Sequence, residues 1–448
     1  MQNCPMPLLN RDEFTTALHQ GRGSAVLHVQ DHGSDELFEI ILDACLVNRA
    51  YDQQCEGPRA KWLYSMIAHD DRICAAVIEA FKAPVEDQDL FQVANLVGLI
   101  AVNGSRAAAE ALRRSWAEND LAGELAIIML DGVPAAIEVV RCLGQRLISD
   151  PDEYVDGLEF LVEDEALREQ VLLDLSARAP GDMAITAYLA MHQEQSDKRA
   201  ADEALSPEQK EKRRLEYQRK HLAENPLSRI VELAQSQDKV SPHIFRRFGR
   251  WASDSERQKI LQILESELAP QVQIRLLHIF GRGDLRAWND TVWNLAHSPD
   301  QEVRLAAVKA LASLEDTRVG ELARRRLSEE DFSVDRRDEI ELLKKNFLPG
   351  DEKIIISALE RVKTDADGMH FMEMPALHVC QENPDARLAG IASFIYRTNP
   401  CSLCRRDIVE WMKDVDCLPA WIANEARFDA SEETRILLAG ANAGGLEM

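Results

Sequence analysis

At 448 residues the chain exceeds the roughly 250 to 300 at which one compact core stops growing, so two lobes or an extended array are expected. Hydrophobic residues make up 46% of it but aromatics only 6%, and with alanine and leucine dominant this favours closely packed helices over a β-sandwich. The formal charge of −25, from 52 basic and 77 acidic residues, opposes nucleic-acid phosphates and anionic membranes, and makes both poor partners.

The first residues, Met1-Gln2-Asn3-Cys4-Pro5, lack a charged start followed by an apolar run, and no stretch approaches the ~18 apolar residues of a membrane span. Several of the nine cysteines, Cys45, Cys74 and Cys142 among them, sit inside apolar helical runs. That usage suits reduced thiols and a cytoplasmic location. Apolar residues recur at three- and four-residue spacing, as in Leu37-Ile40-Ile41-Ala44-Cys45, and strict alternation is nearly absent, so helix is expected throughout. Turn chemistry interrupts the pattern at Gly21-Arg22-Gly23, His32-Gly33-Ser34, Asn103-Gly104-Ser105, Asp131-Gly132, Ala179-Pro180-Gly181, Gly281-Arg282-Gly283 and Pro349-Gly350. Short helices joined by such turns, for example 90–102 followed by 106–116, make hairpins, and hairpins in series make a solenoid.

Three segments are expected. Residues 1–192 form an acidic helical-repeat lobe, with 14 basic against 32 acidic residues. Residues 193–224 are polar and charged almost throughout, and Ser206-Pro207-Glu208-Gln209 supplies a cap, a first-position proline and a returning glutamine, so the segment reads as a linker or bridging helix. Its Lys210, Lys212, Arg213, Arg214, Arg219 and Lys220 alternate with Glu208, Glu211 and Glu216, which describes a solvated helix with i,i+3 and i,i+4 pairs. Residues 225–448 form a C-terminal repeat lobe.

The sharpest repeat signal is Ser298-Pro299-Asp300-Gln301-Glu302-Val303-Arg304-Leu305-Ala306-Ala307-Val308-Lys309-Ala310-Leu311. Ser298 or Asp300 can cap a helix whose Val303, Ala306, Ala307, Ala310 and Leu311 share one face, and the alanines permit close helix approach. The segment resembles the inner-helix consensus of HEAT and phycobilisome-lyase-type repeats. A looser copy starts at Asn383-Pro384-Asp385-Ala386-Arg387, and weaker echoes surround Arg275 and Arg337. The resemblance covers about 255 to 400. It implies a HEAT-like α-solenoid of stacked helical hairpins, in which Arg275, Arg304, Arg337 and Arg387 bond between adjacent turns. The stretch Tyr51 to Ala60 is similar to segments of bacterial helical-repeat proteins and implies no activity.

A binding surface is expected where arginine and tryptophan concentrate: Arg247, Arg250 and Trp251, then Arg282 and Trp288 about one hairpin later. Equivalent helices of stacked repeats share one face, and both residue types dominate the energetic centres of interfaces. The competing reading is a core stripe of Phe245, Phe248 and Trp251 at i, i+3, i+6 with the arginines solvated beside it. HEAT-like DNA glycosylases also carry a basic groove with Trp, Asp and Arg, but this chain is acidic and offers no counterpart for their catalytic Asp. HEAT-like iron enzymes use His-Glu pairs, and no such dipeptide occurs. Cys401-Ser402-Leu403-Cys404 has the spacing of half a zinc site or a redox dithiol. With no second close ligand pair in view and no βαβ surroundings, the thiols read as structural. The expectation is therefore a scaffold that binds another protein of basic or mixed charge, with no catalytic residue, metal or cofactor; the alternatives are a nucleic-acid enzyme and a CxxC redox protein.

Overall fold

The computed structural model describes residues 8–57, 59–84, 88–118, 123–266, 268–281 and 285–439. The protein is all-α: 75% is helical, and the described residues contain no strand. No described helix is long and apolar enough to cross a membrane. Two compact units form, Met1–Ser206 with Glu425–Arg435, and Pro207–Asn424 with Ile436–Met448. The break at Ser206 falls inside the charged stretch.

In the first unit a helix typically packs on its hairpin partner and on its equivalent one hairpin away. Leu90–Val102 lies against Arg106–Ala117, and also against Ala60–Ile67 and Glu124–Asp131. Being covered on several sides, it is apolar nearly all round and buries every residue from Gln92 to Ala101. The buried Gln92 amide donates to the Ala44 and Cys45 carbonyls, both at 3.0 Å, and so closes the end of helix Phe38–Leu46. Helix Val133–Ser149 packs along Met183–Glu203. Their contact is close because Gly144 has no side chain: a Cβ there would stand 1.9 Å from the Ala184 carbonyl oxygen.

The segment Glu425–Arg435 completes this first unit. Glu425 is buried and accepts from Arg22 at 2.8 and 3.1 Å and from the Ser24 hydroxyl at 3.0 Å. The Trp62 indole donates to the Phe428 carbonyl, and the Ala430 amide to the Gly21 carbonyl, each at 2.8 Å. A Cβ on Gly23 would stand 1.9 Å from the Glu425 carbonyl oxygen. None of this pairing is signalled by local periodicity.

In the second unit the clearest repeat begins as its sequence directs. Asp300 caps helix Gln301–Leu311, which buries Val303, Ala306, Ala307, Val308, Ala310 and Leu311 between Pro270–Leu277 and the segment 334–343. The looser copy starts with Asp385 capping a 3₁₀ turn, Ala386–Leu388, that leads into helix Ala389–Thr398. The echo around Arg337 departs from an ordinary helix, since Val334–Leu343 winds as a 3₁₀-helix. In that tighter winding residues i and i+3 eclipse. Arg336 accordingly clasps Glu339 at 2.9 Å, and the buried Glu339 also accepts from Arg326 at 2.9 Å.

Candidate functional site

The residues selected for binding separate into two places. Helix Pro242–Trp251 buries Phe245 and Phe248 completely, while Arg247 and Arg250 are exposed and Trp251 is half-buried. Helix Pro207–Glu224 packs on it through its own aromatics. Tyr217 and His221 meet Trp251 edge-on with ring centroids 5.7 and 5.2 Å apart, and Arg247 donates to the Tyr217 hydroxyl at 2.8 Å. Arg247 and Trp251 are thus engaged by the charged helix, which uses Tyr217 and His221 as its contact face. Arg250 has no partner among the described residues. Burial, together with Arg246 and Lys309, pulls the nearby His278 imidazole down to about 4, so it is neutral at physiological pH.

Trp288 lies elsewhere, in a shallow cleft of about 400 Å³ lined by Leu285, Arg286, Trp288, Leu314, Glu315 and Asp316. The Ser313 hydroxyl ties its two strands of chain together by donating to the Leu285 carbonyl at 3.1 Å. Arg318 stacks on the Trp288 ring with its guanidinium carbon 3.2 Å from the centroid, and donates to Asp316 at 2.7 Å. Arg318 thereby holds the Asp316 carboxyl below its ordinary range. The Trp288 indole donates to Asp290 at 2.8 Å, and Arg286 pairs with Asp254 at 2.9 Å. Each cation at this cleft therefore already faces a carboxylate, so its surface is aromatic and mixed in charge rather than basic. Arg282 lies outside the described residues.

The four repeat arginines differ in reach. Arg275 is buried and donates to the carbonyls of Leu233, Ala234, Ser236 and Asp238 at 2.6 to 3.2 Å, closing the end of helix Leu227–Gln235 from the following hairpin. Arg304 bonds to the turn before its own helix, at Ser298 and Pro299. Arg337 bonds locally to Val334 and stands over the Phe371 ring, while Arg387 pairs with Asp385 and stands over Phe347. The device of Arg275 recurs in arginines outside the repeat pattern: Arg59 donates to His19 and Gln20, Arg257 to Gly249, Arg326 to Ala296, Arg361 to Leu327, and the wholly buried Arg405 to Asn399 and Pro400. Each places a cation on the negative end of a helix. Removing Arg275 leaves four acceptors without their donor, so Arg275→Ala is expected to cost about 3 kcal/mol and Arg304→Ala about 1, measured by urea unfolding. Equal costs would show that reach across the hairpin adds nothing.

A second cluster was not visible in the chain order. Cys401 stands at the N-cap position of helix Ser402–Asp414 and Cys404 lies in its first turn, while His370 and Glu373 lie one turn apart on helix Ala366–Glu382. Ligand atoms of His370, Cys401 and Cys404 all lie within 4.8 Å of one another. Glu373 is fully buried; the Thr398 hydroxyl donates to its Oε1, and Oε2 has no hydrogen-bond partner. Burial pushes its carboxyl up to about 8. The hydrogen bond with Cys401, burial, and the carboxylates of Asp407 and Glu373 hold the Cys404 thiol well above its usual value.

Residues 257–344 match the family model of HEAT repeats. That segment is therefore similar to HEAT repeats, within a chain that is all-α, and the match extends to that repeat and not to the phycobilisome-lyase subtype. No curated protein and no solved structure matches the chain significantly.

Proposed function

We propose that this protein is a cytoplasmic, non-enzymatic scaffold that binds another protein of basic or mixed charge, and that the Trp288 cleft takes a short segment of that partner. The observation carrying the reading is the pairing of every cleft cation with a carboxylate. Phosphates would have to displace Asp254, Asp290 or Asp316 from their partners, whereas a peptide of both charges exchanges one ion pair for another around an aromatic anchor. HEAT repeats commonly serve as interaction scaffolds, and the −25 charge steers basic surfaces inward and duplexes away. Arg250 extends the same use to the exposed face of helix Pro242–Trp251.

Affinity capture from the source cells, repeated with Trp288→Ala, tests this. The partner retained by the wild-type chain should bind the variant roughly 30-fold more weakly, as for loss of an interface centre worth about 2 kcal/mol, with the variant still folded and its melting temperature lowered only by loss of the Arg318 stack and the Asp290 bond. Submicromolar duplex binding at ~150 mM salt, abolished by Arg247→Ala with Arg250→Ala, would overturn the scaffold and favour the nucleic-acid enzyme.

A further inference from the structure

We propose that His370, Cys401 and Cys404 form a binding site for one divalent cation of the zinc class, with the buried carboxylate of Glu373 available for the fourth position. The spacing rule for zinc looks for two close ligand pairs, and the chain order offers one, Cys401-x-x-Cys404. The fold supplies the other. His370 and Glu373 have the same i,i+3 spacing, on helix Ala366–Glu382, and helix packing brings them to the start of Ser402–Asp414.

The dimensions suit a tetrahedral ion. Zn–S bonds near 2.3 Å and Zn–N bonds near 2.0 Å set ligand-to-ligand edges of about 3.6 Å for S···N and about 3.8 Å for S···S. The Cys404 sulfur stands 3.8 Å from His370 Nδ1, and the donor atoms of His370, Cys401 and Cys404 lie within 4.8 Å of one another. The surroundings are those of a built site. Cys401 is buried and its amide donates to Asn399 Oδ1 at 3.0 Å, which fixes the turn that carries this ligand. Glu373 is completely buried with an oxygen that nothing bonds, an arrangement that costs free energy unless a proton or a cation occupies it. A redox dithiol is less well served, because an attacking sulfur needs access and Cys401 is buried. Binding the ion releases the two thiol protons to solvent, together with the Glu373 proton when its carboxylate takes the fourth position, and oxidises nothing.

The test uses the full chain, reduced, stripped of metal and titrated with Co²⁺ alone. One equivalent should bring up a thiolate-to-cobalt absorption in the near ultraviolet with visible bands of a tetrahedral site, and Zn²⁺ should displace it. Cys404→Ser should halve the charge-transfer absorption per bound cobalt, and Glu373→Gln should keep that absorption but alter the visible bands. The wild-type titration decides the question without any variant having to fold. Absence of the thiolate band in a chain whose thiols are verified as reduced would overturn the site. So would a band that survives in Cys401→Ser with Cys404→Ser, or a Cys401–Cys404 disulfide in chain purified in air that reductant and Zn²⁺ do not convert to the metal-bound form.

Discussion

Gly144→Ala is expected to destabilise the first unit by on the order of 3 kcal/mol, beyond the ordinary cost of a surface substitution. In an isolated helix the same change would help, because alanine is the better helix former by about 1 kcal/mol. The sign reverses because the new Cβ would lie 1.9 Å from the Ala184 carbonyl oxygen, a backbone atom that yields only if the helices Val133–Ser149 and Met183–Glu203 separate. Separation strips contacts from their shared apolar faces, where Ala136, Val140 and Ile185 are buried. Gly249→Ala should act alike in the second unit, since its Cβ would stand 1.8 Å from the Ile279 carbonyl oxygen. The control is Gly181→Ala, an exposed position with nothing within 4 Å of the added carbon. Hydrogen exchange resolved by residue reads each unit separately. If all three variants protect their helices equally, the close approaches are not a constraint.

Glu425→Ala should cost the first unit about 3 to 5 kcal/mol, the range for removing one member of a buried ion pair. The carboxylate serves the Arg22 guanidinium and the Ser24 hydroxyl together, and Arg22 is only 14% exposed. Its loss leaves a cation and a hydroxyl facing a void near the entry of helix Gly23–His32. The amides of Glu425–Arg435 should then exchange much faster, and the Trp62 indole, which bonds Phe428, should report the release by its fluorescence. Unchanged exchange through 425–435 would mean that the Trp62 and Ala430 bonds hold the segment alone. Arg22→Met combined with Glu425→Leu should recover part of the loss, because an apolar pair of similar volume leaves no buried charge.

Elements governed by neighbours in the chain were legible. Helix 90–102 ends where its apolar period ends, Asp300 caps as its position before Val303 suggests, and Pro207 opens its helix. What escaped depends on segments brought together by folding. The 3₁₀ winding of Val334–Leu343 hides because its charges at i,i+3 fit either helix type, and only the clasp of Arg336 on Glu339, with Arg326 approaching from the preceding helix, separates them. Trp288 stood out in an aromatic-poor chain, yet the Arg318 that covers it lies thirty residues on and carries no motif. Arg247 and Trp251 were identifiable as a rich cluster, but their engagement by Tyr217 and His221 was not, because an isolated charged helix looks solvated on every side. His370 shares no spacing with Cys401 because a turn and a helix intervene. Gly144 and Gly249 read as weak points within helices until the facing carbonyl is in place.

The return of Glu425–Arg435 also fixes an order of events during synthesis. The first unit cannot close its core around Arg22, Ser24 and Trp62 until the ribosome has made all of Pro207–Asn424. Domains generally fold as they emerge, amino-terminal first. Here the unit begun first still lacks a segment when Pro207–Asn424 of the second has been made. Through that interval the surface awaiting the segment stays exposed while Pro207–Asn424 is made, which makes the late-arriving stretch of chain, rather than any early helix, the step that commits the N-terminal unit to its native state.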